Sequence, residues 1–178
     1  MNAETVPVYL GLGSNMGDRR RNLKQALDFL SQRLEVAEQS SIYDTAPQEN
    51  PDQPRFLNMV VRVATTLEPD RLLALLKGIE AKMGRVPSQP NSPRPIDIDI
   101  LFYGDRVWQI PALTIPHPKI AGRAFVLVPL NEIAPRLVHP VTKKKVRDML
   151  KDINKGVQGV MKFIEPGAGE EKEGGCTG

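Results

Sequence analysis

The stretch SPRPIDIDILFYG at residues 92–104 alternates in character like a β-strand, yet its polar positions include two aspartates. Side chains alternate between the two faces of a strand, so Asp97 and Asp99 share one face and the isoleucines beside them share the other. Residues two apart on a strand are separated by roughly 7 Å, so the two carboxylates can converge on one ligand. This stretch therefore predicts a strand that is apolar toward a core and carries a carboxylate pair on its other face.

The segments before this strand alternate between strand and helix patterns. The helix patterns carry apolar residues at helical spacing, and Pro69 suits the first turn of the second helix, which Gly84 ends. In chain order the segments are a strand at 6–13, a helix opened by Gly17-Asp18 with Leu23, Ala26, Leu27, Leu30 and Leu34 on one face, strands at 36–45 and 56–67, and a helix from 69 to 84.

Together with the strand at 96–104, these segments give the order β-α-β-β-α-β, which is the connectivity of a ferredoxin-like domain. The predicted fold class is therefore α+β, an antiparallel sheet with helices packed on it, plus added C-terminal elements. The first of these elements is a hairpin from Gly104-Asp105 into RVWQI, residues 106–110. The last is a helix over TKKKVRDMLKDI, residues 142–153.

The length and composition of the chain limit its possible partners. Its 178 residues predict one domain over 1–165, followed by a Gly/Glu-rich tail at 166–178 with the composition of a disordered segment. The net charge of +3 is too small to indicate nucleic acid. No apolar run reaches the roughly 20 residues that span a membrane, and the N-terminus lacks the basic region of a signal peptide. Because Cys176 is the only cysteine, no intrachain disulfide can form, and we expect a cytoplasmic protein. We also expect a monomer without membrane or nucleic-acid partners.

The aspartate pair has two interpretations. In the first, it is the solvated polar face of an edge strand. In the second, it binds Mg²⁺, since carboxylates that leave other coordination sites to water and phosphate suit this ion. The preceding loop at 85–95 favours the second interpretation, because it carries Arg85 and Arg94 and guanidinium groups suit phosphate. The sequence has no Walker loop, and GLGSN at 11–15 is interpreted as a structural turn between strand and helix.

Five segments, taken in order, resemble one enzyme family. They are GLGSN (11–15), YDTAP (43–47), FLN (56–58), PRPIDIDILFYG (93–104) and IPHPKIAGRAFVLVPLNEIAP (115–135). The likeness covers residues 5–155, and the family is 6-hydroxymethyl-7,8-dihydropterin pyrophosphokinase of folate biosynthesis. The resemblance implies that the chain transfers the pyrophosphoryl group of ATP to the pterin hydroxymethyl oxygen, with AMP and the pterin diphosphate as products.

The resemblance also implies roles for individual residues. Asp97 and Asp99 match aspartates that hold two Mg²⁺ ions between the phosphates, and Arg85 and Arg94 match basic residues of a catalytic loop. The positions that match nucleotide contacts are Glu80, Ile100, Thr114, His117 and Arg123. The positions that match pterin contacts are Phe56 and Phe125 as stacking rings, Asn58 as the side chain that reads the ring edge, and Thr45, Ala46 and Gln48 along the rest of that edge.

The sequence departs from the family pattern at four positions near the expected substrates. Asn91 replaces a frequent tryptophan, and Pro87, Ala112 and Pro118 replace a loop arginine, a second arginine and a tyrosine. These departures leave a catalytically weak nucleotide-binding relative as one alternative. A ferredoxin-like RNA-binding module is the other, although the chain lacks the ribonucleoprotein signature and only 5% of its residues are aromatic.

Overall fold

The computed structural model describes residues 4–47, 52–85, 93–153 and 159–163. A short 3-10 turn at Ile120–Gly122 precedes the third α-helix. The strands and α-helices, in chain order, are β1 (Val6–Ser14), α1 (Arg19–Arg33), β2 (Glu35–Gln39), β3 (Tyr43–Thr45), β4 (Phe56–Thr65), α2 (Pro69–Lys82), β5 (Asp97–Tyr103), β6 (Trp108–Ile110), β7 (Leu113–Ile115), α3 (Ala124–Ile133), α4 (Val146–Asp152) and β8 (Val160–Lys162).

The main sheet is antiparallel and is centred on β1 and β4. Its strand order is β5-β1-β4-β3-β8, and β2 also pairs with β4. The β-α-β-β-α-β unit has four strands, of which β2 and β3 together form the second. These four strands lie side by side in the order fourth (β5), first (β1), third (β4) and second (β3 with β2). This order confirms the predicted ferredoxin-like fold with added C-terminal elements.

The two faces of the sheet pack against different helices, because residues alternate along each strand. Val8, Leu10 and Leu12 of β1 are buried in the core that α1 and α2 cover, together with the isoleucines of β5. Tyr9 of β1 faces the other way, into a second core that α3 and α4 cover. The candidate site lies on this second face of the sheet.

The ends of the helices follow the sequence signals. The Asp18 side chain accepts a hydrogen bond from the N–H of Arg21 and so caps the start of α1. Pro69 is in the first turn of α2, where its missing N–H has no intrahelical partner to lose. Gly84 follows α2 with φ +91°, a conformation that favours glycine. The predictions for both helices are confirmed.

The predicted strand at 36–45 is two strands, and a serine explains the break. The Ser40 hydroxyl accepts a hydrogen bond from the N–H of Val60, and the Ser40 N–H donates to the Val60 carbonyl at 2.8 Å. The same hydroxyl donates to the Ser41 carbonyl, so the side chain replaces main-chain pairing while the backbone bends. β2 and β3 therefore meet β4 at separate places.

The prediction of a hairpin from β5 into RVWQI was wrong. β6 pairs instead with β7, with Trp108 opposite Ile115, in a separate two-stranded sheet. The main chain of His117 donates to the Leu101 carbonyl, so a later segment binds to β5 at that point. The Ile115–Pro116 peptide bond, which the sequence left open, is cis.

The C-terminal elements also differ from the sequence expectation. The last helix begins at Val146 rather than at 142, because residues before it form a turn in which Lys143 has φ +64°. Strand β8 was not predicted at all. The tail at 166–178 and the end of the proposed domain lie outside the described residues. Within the described part of the chain, none of the helices is long and apolar enough to cross a membrane.

Candidate active site

A cavity of about 150 Å³ opens on the second face of the sheet, beside the start of α3. An apolar cavity of this size holds a single aromatic ring, so a larger ligand extends out of it. The cavity brings together nine of the residues singled out in the sequence, namely Thr45, Ala46, Phe56, Asn58, Arg94, Asp97, Asp99, Arg123 and Phe125. These residues lie up to 80 positions apart in the sequence, from Thr45 to Phe125, and the fold brings them together at one place.

The cavity exists because the central strand lacks side chains at two positions. Gly11 is paired with Asp99, and Gly13 is paired with both Asp97 and Asn58, so both glycines are on the cavity face. A Cβ atom at Gly13 would be 2.5 Å from the Asn58 Oδ1 atom. The interpretation of GLGSN as a turn was therefore wrong, since β1 continues to Ser14. The Gly-x-Gly spacing, which puts two glycines on one strand face, could have indicated the floor of a site.

The two aspartates differ in their partners. The Asp97 carboxylate accepts a hydrogen bond from Arg85 at 2.7 Å and lies 3.5 Å from the Arg94 guanidinium. Burial, followed by the negative charges of Asp97 and Glu80, raises the pKa of Asp99 to about 7, against the opposing effects of Arg123 and Lys77. Asp99 is thus a buried carboxylate with two other carboxylates near it, and a bound cation would oppose this shift.

The fit of this site to a divalent cation follows from its donor set. Asp97 and Asp99 supply carboxylate oxygens from a single strand, which suits Mg²⁺. The part of the chain described by the structure has no group of three or more His, Cys, Asp or Glu residues that could hold a metal ion. Any cation held by this pair therefore needs ligands from water or from a bound substrate.

Glu80 lies behind the aspartates and holds Arg85 in place. Its side chain is only 3% exposed, and a buried carboxylate is costly unless it is paired. Glu80 accepts hydrogen bonds from the main-chain N–H of Ile98 and from the Arg85 guanidinium, each at 2.8 Å. It thereby joins α2 to β5 and directs Arg85 toward Asp97. The structure does not bring the Glu80 side chain into the wall of the cavity.

Asn15 is a residue of this site that the sequence analysis missed. Its side chain accepts from the N–H of Arg94 at 2.8 Å, and its own N–H donates to the Arg94 carbonyl. The Asn15 amide also donates to the side chain of Gln53 at 2.9 Å. Arg94 is thus held at its main chain while its guanidinium lies 5.9 Å from the centre of the Phe56 ring. Asn15 is only 1% exposed, and because this burial arises from the fold, no signal in the sequence marked it.

The opposite wall of the cavity combines two aromatic rings with a buried amide. The Asn58 amide donates to the Thr45 hydroxyl at 2.6 Å, and both side chains are buried. Phe56 precedes Asn58 by two residues and shares its face of β4. Phe125 comes from the first turn of α3, with the Arg123 guanidinium 5.2 Å from its ring centre. Gln48, the other residue expected here, lies outside the described residues.

Besides Glu80, three expected nucleotide residues do not line this cavity. The Ile100 side chain is buried in the core under α1 and α2, so only its main chain can approach a ligand on the other face. Thr114 is exposed on β7. His117 is partly buried, and its N–H donates to the Leu101 carbonyl.

His117 is neutral at physiological pH. Burial, with the positive charges of Arg123 and Lys119, lowers its pKa to about 4, against the opposing effect of Asp97. The Lys119 N–H donates to Nδ1 of the ring at 3.2 Å. The neutral ring therefore carries its proton on Nε2, where it can donate a hydrogen bond.

The family profile described as 7,8-dihydro-6-hydroxymethylpterin-pyrophosphokinase matches residues 9–135. The 2-amino-4-hydroxy-6-hydroxymethyldihydropteridine pyrophosphokinase of Aquifex aeolicus is 40% identical over 141 residues, which are 79% of this chain and 88% of that protein. The folic acid synthesis protein fol1 of Pneumocystis carinii is 39% identical over 159 residues, 88% of this chain but 22% of that protein.

Other relatives are also longer than this chain. The mitochondrial folate synthesis bifunctional protein of Pisum sativum is 47% identical over 127 residues, 71% of this chain and 25% of that protein. The chain thus spans a quarter or less of the fungal and plant relatives. A crystal structure of wild-type Plasmodium falciparum HPPK-DHPS with pterin and p-hydroxybenzoate superposes with a TM-score of 0.68. It is 20% identical, covers 84% of this chain and 43% of its own, and supports the fold.

Gly13→Ala is expected to destabilise the protein, whereas Gly11→Ala is a matched control on the same strand. The new Cβ at position 13 would overlap Asn58 Oδ1, so we expect a loss of about 1–3 kcal/mol in the free energy of unfolding. At position 11 the nearest atom is a Leu101 methyl carbon at 3.5 Å, an ordinary contact. Urea denaturation followed by circular dichroism measures both. Equal stability of the two variants would contradict the close approach of Asn58 to β1.

The pKa of His117 can be measured directly, because the chain has 2 histidines. We expect its ring protons to titrate near pH 4 in an NMR titration, with a His139→Gln variant to assign the signals. Between pH 6.5 and 4 the unfolded state binds more protons than the folded state, so stability should fall as the pH falls through this range. A His117→Gln variant should weaken that pH dependence. A midpoint at 6.5 or above would show that the ring is neither buried nor close to the two cations.

Proposed function

The chain belongs to the 7,8-dihydro-6-hydroxymethylpterin-pyrophosphokinase family, and we propose that it makes a pterin diphosphate in folate biosynthesis. ATP and 6-hydroxymethyl-7,8-dihydropterin are its substrates. The hydroxymethyl oxygen attacks the β-phosphorus of ATP, the bond from that phosphorus to the α,β-bridging oxygen breaks, and AMP leaves. The hydroxyl proton is released, and the β- and γ-phosphates move together to the pterin. This reaction needs a phosphate site and a flat-ring site side by side.

One observation carries the proposal: a single cavity is lined at one side by a carboxylate pair with arginines and at the other by aromatic rings with a buried amide. The Asp97–Gly13–Asn58 row of paired residues joins the two sides across three strands. A nucleotide phosphate on the first side therefore lies next to a heterocycle on the second. An RNA-binding module needs a row of exposed aromatic residues and has no use for a carboxylate pair.

Asp97 and Asp99 would hold Mg²⁺, and we propose two ions. When bound, Mg²⁺ supplies neutralisation of the phosphate charge and a fixed geometry for the triphosphate. The carboxylates are mounted on β5, a strand packed on both faces, so their separation is fixed before the substrates bind. Glu80 contributes by keeping Arg85 hydrogen-bonded at this site rather than by touching a phosphate.

The basic groups would bind the phosphates. Arg85, Arg94 and Arg123 surround the aspartates, and a guanidinium can bind two phosphate oxygens at once. His117 would donate a hydrogen bond to a phosphate oxygen from Nε2, because its lowered pKa keeps it neutral. Thr114, and Ile100 through its main chain, would contact the rest of the nucleotide.

The pterin would lie between Phe56 and Phe125, with offset stacking that contributes about 0.5–1.5 kcal/mol beyond burial. Asn58 would read the ring edge, since its amide has both donors and an acceptor. One of its donors already binds the Thr45 hydroxyl, so the direction of the amide is fixed. Thr45, Ala46 and Gln48 would complete the edge.

Two of the four departures from the family pattern can be located. Ala112 and Pro118 are both exposed, so neither supplies a buried contact to the phosphates. Pro87 and Asn91 lie outside the described residues. That the protein is a monomer stays a prediction. Its location in the cytoplasm also stays a prediction, because relatives of this chain include proteins named as mitochondrial.

Asp97→Asn and Asp99→Asn should each lower the turnover number by at least about a hundredfold, because the metal loses a charged ligand. Asp28→Asn, at an exposed position of α1, is the matched control and should not change turnover. AMP formation with Mg²⁺, ATP and the pterin is measured by chromatography, and thermal unfolding verifies that each variant folds. Full activity in Asp99→Asn would overturn the metal assignment. Absence of AMP formation in the wild-type protein would favour the catalytically weak relative.

A further inference from the structure

The end of β3 is held by the last strand of the described chain. The Arg55 guanidinium pairs through Nε with the Asp44 carboxylate and through Nη2 with the Gly159 carbonyl, the latter at 2.9 Å. The Gly159 carbonyl also accepts from the main-chain N–H of Ala46 at 3.2 Å. The Gly159 carbonyl, which precedes β8, is thus connected to the end of β3 through the Ala46 N–H and through Arg55, which also binds Asp44. These contacts lie immediately beside the cavity.

This contact fixes a peptide group that lines the cavity. The N–H of Ala46 and the carbonyl of Thr45 belong to the same planar peptide unit, so a hydrogen bond to one determines the direction of the other. The Thr45 hydroxyl is fixed separately, because it accepts from the Asn58 amide. The contact at Gly159 therefore orients the main chain of Thr45, whose hydroxyl in turn orients Asn58.

Gly159 is suited to this close approach. Its φ of +57° is in the left-handed region, where a side chain is strained. A Cβ atom at this position would be 3.2 Å from the Cβ of Ala46 and 3.9 Å from the Arg55 guanidinium. A side chain at this position would therefore press on Ala46, whereas Arg55 would stay at an ordinary contact distance.

The Arg55 contact contributes little to the stability of the whole protein, which leaves a local role. The Arg55 side chain is 39% exposed and that of Asp44 is 24% exposed, and ion pairs of this kind contribute about 0–1 kcal/mol. A second pair provides a comparison on β4: Arg62 lies 3.6 Å from Glu38, with exposures of 38% and 42%, but away from the cavity. The arginines of the Arg55–Asp44 and Arg62–Glu38 pairs are equally exposed, but only Arg55 lies beside the cavity.

Resting on the proposed function, we propose that Arg55 is a positioning residue for pterin recognition. It holds the Gly159 carbonyl over the N–H of Ala46 and so fixes the Thr45–Ala46 peptide that faces the pterin edge. It does not touch the pterin or the nucleotide. The C-terminal strand β8 is thereby part of the pterin site, and the phosphate side of the cavity does not depend on it.

The test compares Arg55→Ala with Arg62→Ala. Loss of a hydrogen bond from a charged group should raise the KM for the pterin about tenfold in Arg55→Ala. The turnover number and the KM for ATP should stay within about twofold of the wild-type values, since the phosphate side is unchanged. Arg62→Ala should change none of the three constants. Titration of pterin fluorescence in the absence of ATP gives the same comparison as a binding constant.

A second variant keeps the test independent of Arg55 itself. Gly159→Ala should raise the KM for the pterin as well. The KM of the double variant Arg55→Ala/Gly159→Ala should be little higher than that of the single variant with the higher KM, because both changes act on one peptide. Equal rises in the KM for pterin and for ATP, or an unchanged pterin KM in Arg55→Ala, would overturn the inference. Wild-type protein that neither binds the pterin nor forms AMP would instead overturn the proposed function.

Discussion

Three carboxylates, those of Glu80, Asp97 and Asp99, lie close together at the start of β5, and the cost of burying their charges is the constraint around which the site is built. Glu80 and Asp97 share the Arg85 guanidinium, with hydrogen bonds of 2.8 and 2.7 Å. The pKa of Asp99 rises to about 7, first through burial and then through the charges of the other two carboxylates. A carboxylate in that position favours a cation, so the ligand chemistry of the cavity follows from charges that the fold itself has brought together.

The proposed reaction also requires that a phosphate site and a flat-ring site be adjacent, and the sheet makes this possible. The alternation of side chains places the α1–α2 core and the cavity on opposite faces of the same strands. Gly11 and Gly13 remove side chains from the central strand, so the cavity has room where a sheet would otherwise be covered. The side of the cavity proposed for the pterin is bordered by Phe125 of α3, and Gly159, which precedes β8, binds the N–H of Ala46 beside it. Rigidity of the sheet fixes the distance between the two sides.

Features that depend on local patterns could be predicted from the sequence. The helix ends at Asp18, Pro69 and Gly84 are determined by nearby residues, and the strand that carries Asp97 is determined by alternation. Features that depend on distant partners could not. β6 pairs with β7 rather than β5, and β8 pairs with β3 across more than a hundred residues. Asn15 and Gly13 belong to the site through contacts with residues that the sequence places far away. The individual roles of the nucleotide and pterin residues came from the family likeness and stay predictions.

The central claim is that this cavity transfers two phosphates at once from ATP to a pterin. Phosphorus NMR of the protein with Mg²⁺, ATP and 6-hydroxymethyl-7,8-dihydropterin tests it most directly, because each product has its own signals. We expect AMP and a pterin diphosphate to appear together in equal amounts. ADP with a pterin monophosphate would contradict the account, since it would mean attack at the γ-phosphorus and a different placement of the triphosphate against Asp97 and Asp99.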